Sequence, residues 1–353
     1  MAGHPPVYQF WPLPPSVTDG CRNMSVFTPR KTFKPTEYPW ASEFKDAIRS
    51  SYWVVDGHFA FDTDVHEYRT LLSSPEREAV RRAMLAIAQV EVVAAKDFWG
   101  DLNKRFPKPE FGQVGHTFAE SEARHADAYS ALLEALGLNQ DFAGLMAVPA
   151  VGGRIDYLTK HLAVGSDPQS HVLAVILFSL LVENVSLFAQ FAVMKSVCKH
   201  RGLLKVIDNV VQATQQEEQL HALFGVKLVN QVRLENPEWF DAAFYERVYA
   251  ACRKAEAAEA GIVDWMLEGG DLPNLSAATL KAFIRHRLNE SLVMVGGKPQ
   301  FDIDPAVRPA LDELNNWFFV ELVGRINFDF FDKQPTNYGR GGEPLTADTM
   351  FDD

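Results

Sequence analysis

The stretch AESEARHADAY, residues 119–129, decides the fold that we expect for this chain. It places Glu122 three residues before His125 and Tyr129 four residues after it, so in a helix all three side chains project from one side. The same Glu-x-x-His spacing recurs at Glu218 and His221, within QQEEQLHALFG. Two such pairs on separate helices, joined by two more buried glutamates, build a four-helix carboxylate cage for two metal ions.

Two further glutamates interrupt helical segments that are otherwise apolar. Glu91 lies in AMLAIAQVEVVAAKDFW and Glu183 lies in FSLLVENVSLFAQF. A buried carboxylate is costly to ionise unless a cation neutralises it. An ion pair commonly explains one such residue, and one Glu-x-x-His pair is common on a solvated helix, but the combination is specific. Four carboxylates and two neutral imidazoles balance two divalent ions, and this donor set suits iron or manganese better than structural zinc.

The composition excludes several other classes of protein. The 353 residues are 47% hydrophobic with a net charge of −12, which argues against a nucleic-acid surface and against an anionic membrane patch. Three widely separated cysteines imply no disulfide framework and fit a reducing, cytoplasmic setting. We expect no signal peptide, because no basic region followed by an apolar run opens the sequence.

The order of segments predicts an all-α chain with one folded domain. We expect an irregular N-terminal arm over 1–35, a ferritin-like dimetal domain over 36–331 and a flexible C-terminal tail over 332–353. Helical patterns begin near Pro39 and at Ser74, and one continuous helix is predicted over about 141–163. The apolar run over 172–194 is long enough to span a membrane. Its central polar residues, including Glu183, instead favour the core helix of a soluble bundle.

The order of these motifs resembles the small, radical-generating subunit of class I ribonucleotide reductase, over essentially the whole chain. The resemblance implies a ferritin-like fold, a homodimer and a two-metal centre that reacts with oxygen or a reduced oxygen species. It also implies that the resulting one-electron oxidant passes to a cysteine of a separate large subunit, which reduces ribonucleotides. The chain would then be the small subunit of a ribonucleoside-diphosphate reductase, active only with its large subunit.

The resemblance also assigns roles to single residues. Tyr129 occupies the position of the radical tyrosine, and Trp53 that of the tryptophan that starts the long-range electron path. Glu217 stands where an aspartate usually links a histidine ligand to that tryptophan. Tyr338 matches the tail tyrosine that hands the path to the large subunit, and the extreme C-terminus matches the peptide that docks there. The implied metal ligands are Glu91 and His125 for the first ion, Glu183 and His221 for the second, and Glu122 and Glu218 as bridges.

Three departures from the usual pattern concern the tuning of the centre. Glu91 replaces a common Asp and resembles the subgroups that use manganese, so Fe/Fe, Mn/Fe and Mn/Mn pairs all stay open. Glu217 is one methylene longer than the usual Asp, which can lengthen the route to Trp53. Thr214 makes the surroundings of Tyr129 more polar than the usual aliphatic residue does.

Other functions share the same six ligands. A ribonucleotide-reductase-like ligand-binding Mn/Fe oxidase would use a Val–Tyr crosslink, for which Val93 is available, but the tyrosine position is Phe178. A di-iron monooxygenase or a ferritin-like storage protein is a further alternative, because fold alone does not settle function. A storage protein would leave Trp53 and the Tyr338 tail without a task.

Overall fold

A computed structural model describes residues 25–318 except 94, 163, 164 and 166, and leaves undescribed the side chains of 92–96 and 160–162 as well. The chain divides between Leu311 and Asp312 into two units, and the site described below lies in the first. The predicted tail over 332–353, with Tyr338, and most of the predicted arm over 1–35 lie outside the described residues. These domain limits therefore stay predictions.

Helices form all the extended regular structure of the described residues, as the all-α prediction required. Short 3₁₀ turns lie at Leu145–Ala147, Pro237–Trp239 and Pro305–Val307, and residues 308–318 are also helical. A π-helix covers Ile176–Ser186. The α-helices are α1 Ala41–Ser50, α2 Asp62–Thr70, α3 Ser74–Val93, α4 Ala95–Gly100, α5 Leu102–Arg105, α6 Pro109–Leu136, α7 Asn139–Ala143, α8 Pro149–Leu162, α9 Pro168–Val175, α10 Phe188–Arg201, α11 Lys205–Glu235, α12 Ala242–Met266 and α13 Ala277–Met294.

Local signals in the sequence explain where the long helices of the core begin and end. Glu76 accepts hydrogen bonds from the backbone N–H and hydroxyl of Ser73, a capping arrangement that fixes the start of α3. Pro109 opens α6, and Gly137 ends it in the left-handed conformation that favours glycine. The Asp64 carboxylate of α2 accepts the N–H of Ile207, so α2 caps the first turn of α11.

The prediction of one helix over 141–163 is wrong. The chain forms α7, then the 3₁₀ turn at Leu145–Ala147, and only then α8. Pro149 lacks an N–H and restricts Val148, which is extended, so a continuous helix cannot pass this point. The break falls between α7 and α8, outside the four segments that carry the predicted ligands, so each of those segments is continuous.

The apolar segment is helical from Pro168 to Arg201 and is long and apolar enough to cross a membrane by length and composition alone. However, 94% of its most apolar window is buried inside the protein. It packs against α11 so closely that a side chain on Gly225 would overlap the hydroxyl of Ser179. The segment is therefore the central helix of the bundle, and it carries Glu183 into the core.

Candidate metal centre

Four helical segments bring six buried carboxylate and imidazole side chains to one place. α3 supplies one glutamate, the π-helix supplies another, and α6 and α11 each supply a Glu-x-x-His pair. Two overlapping groups result, and in each group the candidate ligand atoms lie within 4.8 Å of one another. The first group is Glu91, Glu122, His125 and Glu218, and the second is Glu122, Glu183, Glu218 and His221.

Both imidazoles turn their Nδ1 atoms toward the carboxylates. His125 Nδ1 lies 3.0 Å from Glu218 Oε1 and 3.4 Å from Glu122 Oε2. His221 Nδ1 lies 2.9 Å from Glu122 Oε1 and 3.9 Å from Glu218 Oε2. The two carboxylates thus direct one oxygen toward each imidazole, which is the arrangement of bridging ligands. Glu91 and Glu183 each face one imidazole only, at 3.9 and 3.6 Å.

The inward-facing atoms lack hydrogen-bond partners within the described part of the chain. These atoms are both oxygens of Glu122, both oxygens of Glu218 and the Nδ1 atoms of His125 and His221. All four residues are at most 1% exposed. Buried polar groups are normally satisfied, so such a convergence of unpartnered atoms is what a set of metal ligands looks like. The donor set therefore fits two metal ions.

Protons take the place of cations in the metal-free protein. Burial raises the pKa values of Glu91 and Glu183 well above the usual range of a carboxyl. Burial alone would lower the pKa of His221, but the negative charges of Glu183 and Glu122 raise it to about 10. At neutral pH the cage thus holds protons that metal ions would displace.

Outside the first group, His125 contacts a buried ionic cluster through its other ring nitrogen. His125 Nε2 lies 2.8 Å from Glu217 Oε2, and Arg124 Nη2 donates to Glu217 Oε1 at 2.9 Å. The indole N–H of Trp53 donates to the same carboxylate at 3.2 Å, and its ring lies parallel to that of His125 at 6.0 Å. Burial would raise the pKa of Glu217, but His125 and Arg124 outweigh it and lower the pKa. Glu217 therefore links His125 to Trp53 as an anion.

The second group has different outer partners, which the sequence prediction missed. His221 Nε2 lies 3.0 Å from the hydroxyl of Ser121, a neutral group where His125 has a carboxylate. Trp99 is fully buried, and its indole N–H donates to Glu183 Oε1 at 2.5 Å. Ser121 precedes Glu122 just as Glu217 precedes Glu218, so a comparison of the two motifs would have found it. Nothing in the spacing points to Trp99.

A protein-family model for the small chain of ribonucleotide reductase matches residues 30–309. The chain belongs to this family. It is similar to a probable ribonucleoside-diphosphate reductase small subunit, 048L, of Invertebrate iridescent virus 3. The two chains are 26% identical over 342 residues, covering 92% of this chain and 88% of the relative.

Solved structures support the ribonucleotide reductase fold. The R2 subunit from Clostridium botulinum matches with a TM-score of 0.71 at 15% identity, covering 82% of this chain and 92% of that chain. A dimanganese(II)-NrdF from Streptococcus sanguinis matches with a TM-score of 0.63 at 15% identity, covering 81% of this chain and 100% of that chain. The all-α, ferritin-like prediction is confirmed.

Tyr129, which matches the radical tyrosine of the family, lies deep in the protein. Tyr129 is fully buried, and its hydroxyl has no hydrogen-bond partner among the described residues. Burial and the charge of Glu91 raise its pKa, while the Thr214 side chain opposes the shift. The phenol therefore stays protonated at neutral pH. At the position expected for an oxidase crosslink, Phe178 has no hydroxyl, and its ring stacks on Phe98 at 4.2 Å.

Proposed function

We propose that this small subunit binds two redox-active metal ions through Glu91, Glu122, His125, Glu183, Glu218 and His221. The two overlapping groups of buried, unpartnered ligand atoms carry this proposal. Two ions held there would supply a one-electron oxidant from oxygen or a reduced oxygen species. Fe/Fe, Mn/Fe and Mn/Mn pairs all suit a carboxylate-rich set with one imidazole per ion.

The oxidant is stored on Tyr129 or on the metals and leaves through Trp53. When Trp53 gives up an electron its indole N–H becomes acidic, and Glu217, an anion 3.2 Å away, is placed to accept that proton. Arg124 keeps Glu217 ionised and fixes its direction, with its guanidinium 5.1 Å from the centre of the Trp53 ring. The electron thus passes to the oxidant, and the proton passes from the same side chain to Glu217.

The transfer continues to a large subunit, where ribonucleotides are reduced. We assign Tyr338 as the tail residue that hands the oxidant on, and the residues after Thr346 as the docking peptide. The working form is a cytoplasmic homodimer. An oxidase that forms a Val–Tyr crosslink is disfavoured, because Phe178 has no oxygen with which to bond a valine.

The ligand set is tested on protein matured with both Fe(II) and Mn(II) available. Elemental analysis measures the metal content, and electron paramagnetic resonance identifies the oxidised species. Glu122→Ala should lose metal, whereas Glu120→Ala, two residues earlier on α6 with a side chain 45% exposed, should bind as the unchanged protein does. Full occupancy in Glu122→Ala would contradict the proposal. A sharp signal with two irons would place the oxidant on Tyr129, and a coupled manganese signal without a tyrosyl component would place it on the metals.

The transfer path needs a separate test. Tyr338→Phe should abolish nucleotide reduction with the large subunit and leave the metal centre assembled. Deletion of the residues after Thr346 should abolish association with that subunit in a pull-down. Retained turnover in the first variant would remove Tyr338 from the path, and unchanged binding in the second would remove the tail from docking.

A further inference from the structure

The π-helix that carries Glu183 is unusual in length and in burial. It runs for 11 residues, whereas most π-helical turns are single insertions in an α-helix. All of its residues are buried, so water cannot satisfy its backbone. Where the spacing of the hydrogen bonds changes between α and π, carbonyl groups need other donors, and a buried carbonyl without one costs about 1–3 kcal/mol.

One turn of α13 supplies these donors. Ser291 Oγ donates to the carbonyl of Leu180 at 3.0 Å, and Arg287 Nε donates to the carbonyl of Asn184 at 2.6 Å. The same two residues hold the Asn184 side chain: Arg287 Nη2 donates to its Oδ1 at 2.6 Å, and its Nδ2 donates to Ser291 Oγ at 2.9 Å. The Arg287 guanidinium thus donates to both the backbone carbonyl and the side-chain oxygen of Asn184.

This cluster also spans the junction between the π-helix and α10. The Arg287 guanidinium lies 3.5 Å from the centre of the ring of Phe188, the first residue of α10. Arg287 and Asn184 are each 9% exposed. The buried guanidinium therefore contacts the π-helix through Asn184 and α10 through Phe188. Away from water, these contacts restrict movement between the two segments more than contacts at the surface would.

We propose that Arg287, with Asn184 and Ser291, is a positioning clamp that fixes the reach of Glu183 into the metal centre. Glu183 directly precedes Asn184, so the hydrogen bonds to the Asn184 side chain and carbonyl hold in place the residue next to the one that reaches into the centre. Two hydrogen bonds join Arg287 to Asn184, and Arg287 acts on Glu183 through that residue. The inference rests on the proposed function, because it gives the clamp a role only if Glu183 binds metal.

The clamp predicts an effect confined to one of the two metal groups. Glu183 belongs only to the group with His221, and Glu91 belongs only to the group with His125. Arg154 donates to the carbonyl of Ser186 at 3.3 Å and holds the end of the π-helix independently of Arg287. Loss of Arg287 should therefore loosen the backbone at Asn184, next to Glu183, and leave the rest of the bundle in place.

The first measurement is amide hydrogen exchange on the metal-free full chain. Arg287→Met removes the fork, and Arg287→Lys keeps the charge above Phe188 but offers only a point donor. Arg285→Met is the matched control on the same helix, where the partly exposed Arg285 pairs with Glu256 at 2.6 Å. Exchange over 183–188 should rise about tenfold or more in Arg287→Met, less in Arg287→Lys and not in the control.

The second measurement is a Mn(II) titration of the same proteins, with His221→Ala used to assign the binding steps. One step, the one that His221→Ala removes, should weaken about 10–100-fold in Arg287→Met, with the other step unchanged. Unchanged exchange over 183–188, or equal weakening of both steps, would overturn the clamp. If Arg287→Met does not fold, the same comparison holds for Arg287→Lys. Absence of metal binding by the unchanged protein would instead refute the proposed function, while the exchange result still judges the clamp.

Discussion

The buried cluster around Glu217 should contribute far more to stability than its exposed counterpart on the same arginine. Glu217 is 1% exposed and accepts from Arg124, His125 and Trp53 at 2.8–3.2 Å. Glu217→Gln removes the charge while keeping the shape, and it leaves the buried side of Arg124 without a counter-charge. Loss of one partner of a buried pair costs about 3–5 kcal/mol, because the remaining charge stays desolvated.

Glu120 provides the matched comparison. It accepts from Arg124 Nε at 3.0 and 3.1 Å, but its side chain is 45% exposed. An exposed pair at this helical spacing contributes about 0.3–0.5 kcal/mol, because water screens it. Glu120→Gln should therefore lower the free energy of unfolding by a small fraction of the loss in Glu217→Gln, although both substitutions remove a carboxylate from one arginine.

Urea unfolding of the metal-free protein, followed by tryptophan fluorescence and by circular dichroism, measures both losses. Glu217→Asp separates charge from reach, because it keeps the anion but shortens the side chain by one methylene. We expect a loss of about 1 kcal/mol for this variant, the contribution of one hydrogen bond. If Glu217→Gln costs no more than Glu120→Gln, the assignment of Arg124, His125 and Trp53 to one buried electrostatic unit is wrong.

Three further predictions concern the centre and the packing that holds it. Trp99→Phe removes the hydrogen bond to Glu183 and should weaken one of two Mn(II) binding steps about 10–100-fold in a competitive titration. Gly225→Ala should lower the free energy of unfolding by about 1–3 kcal/mol, because the new Cβ would overlap Ser179 of the π-helix. Gly261→Ala is the control: its Cβ would meet no atom within 4 Å, and the substitution should raise the free energy of unfolding by about 0.5–1 kcal/mol. Metal binding should release protons, and the affinity for metal should increase as the pH rises toward about 10. The reason is that the His221 imidazole, with its raised pKa, is protonated below that pH. Calorimetry in buffers of different ionisation enthalpy measures the number of protons released.

The sequence was sufficient to predict which side chains converge in the helical core, because periodic spacing carries that information. Glu122 and His125 lie three residues apart on α6, and a helix places such residues on one side whatever surrounds it. Glu91 and Glu183 could be recognised by contrast, as single carboxylates in apolar runs. Each of these inferences uses only neighbours along the chain, and the structure brings the four residues together.

Contacts between distant segments could not be predicted in this way. Trp99 reaches Glu183 across 84 positions, and Arg287 reaches Asn184 across 103. The π-helix is also invisible in the sequence, because the apolar residues that build it would suit an α-helix equally well. Two of its carbonyl groups accept from Arg287 and Ser291 of α13, and such partners are defined only once the helices pack.

The two halves of the centre follow one pattern, and the outer partners of their imidazoles differ. On α6 the residue before Glu122 is Ser121, which contacts His221. On α11 the residue before Glu218 is Glu217, which contacts His125. A carboxylate partner makes an imidazole a more basic ligand than a hydroxyl does. The group with His125 should therefore bind its ion more tightly, and a calorimetric titration should resolve two steps that merge when Glu217 is replaced by Gln. Merged steps in the unchanged protein would mean that the outer partners do not distinguish the two sites.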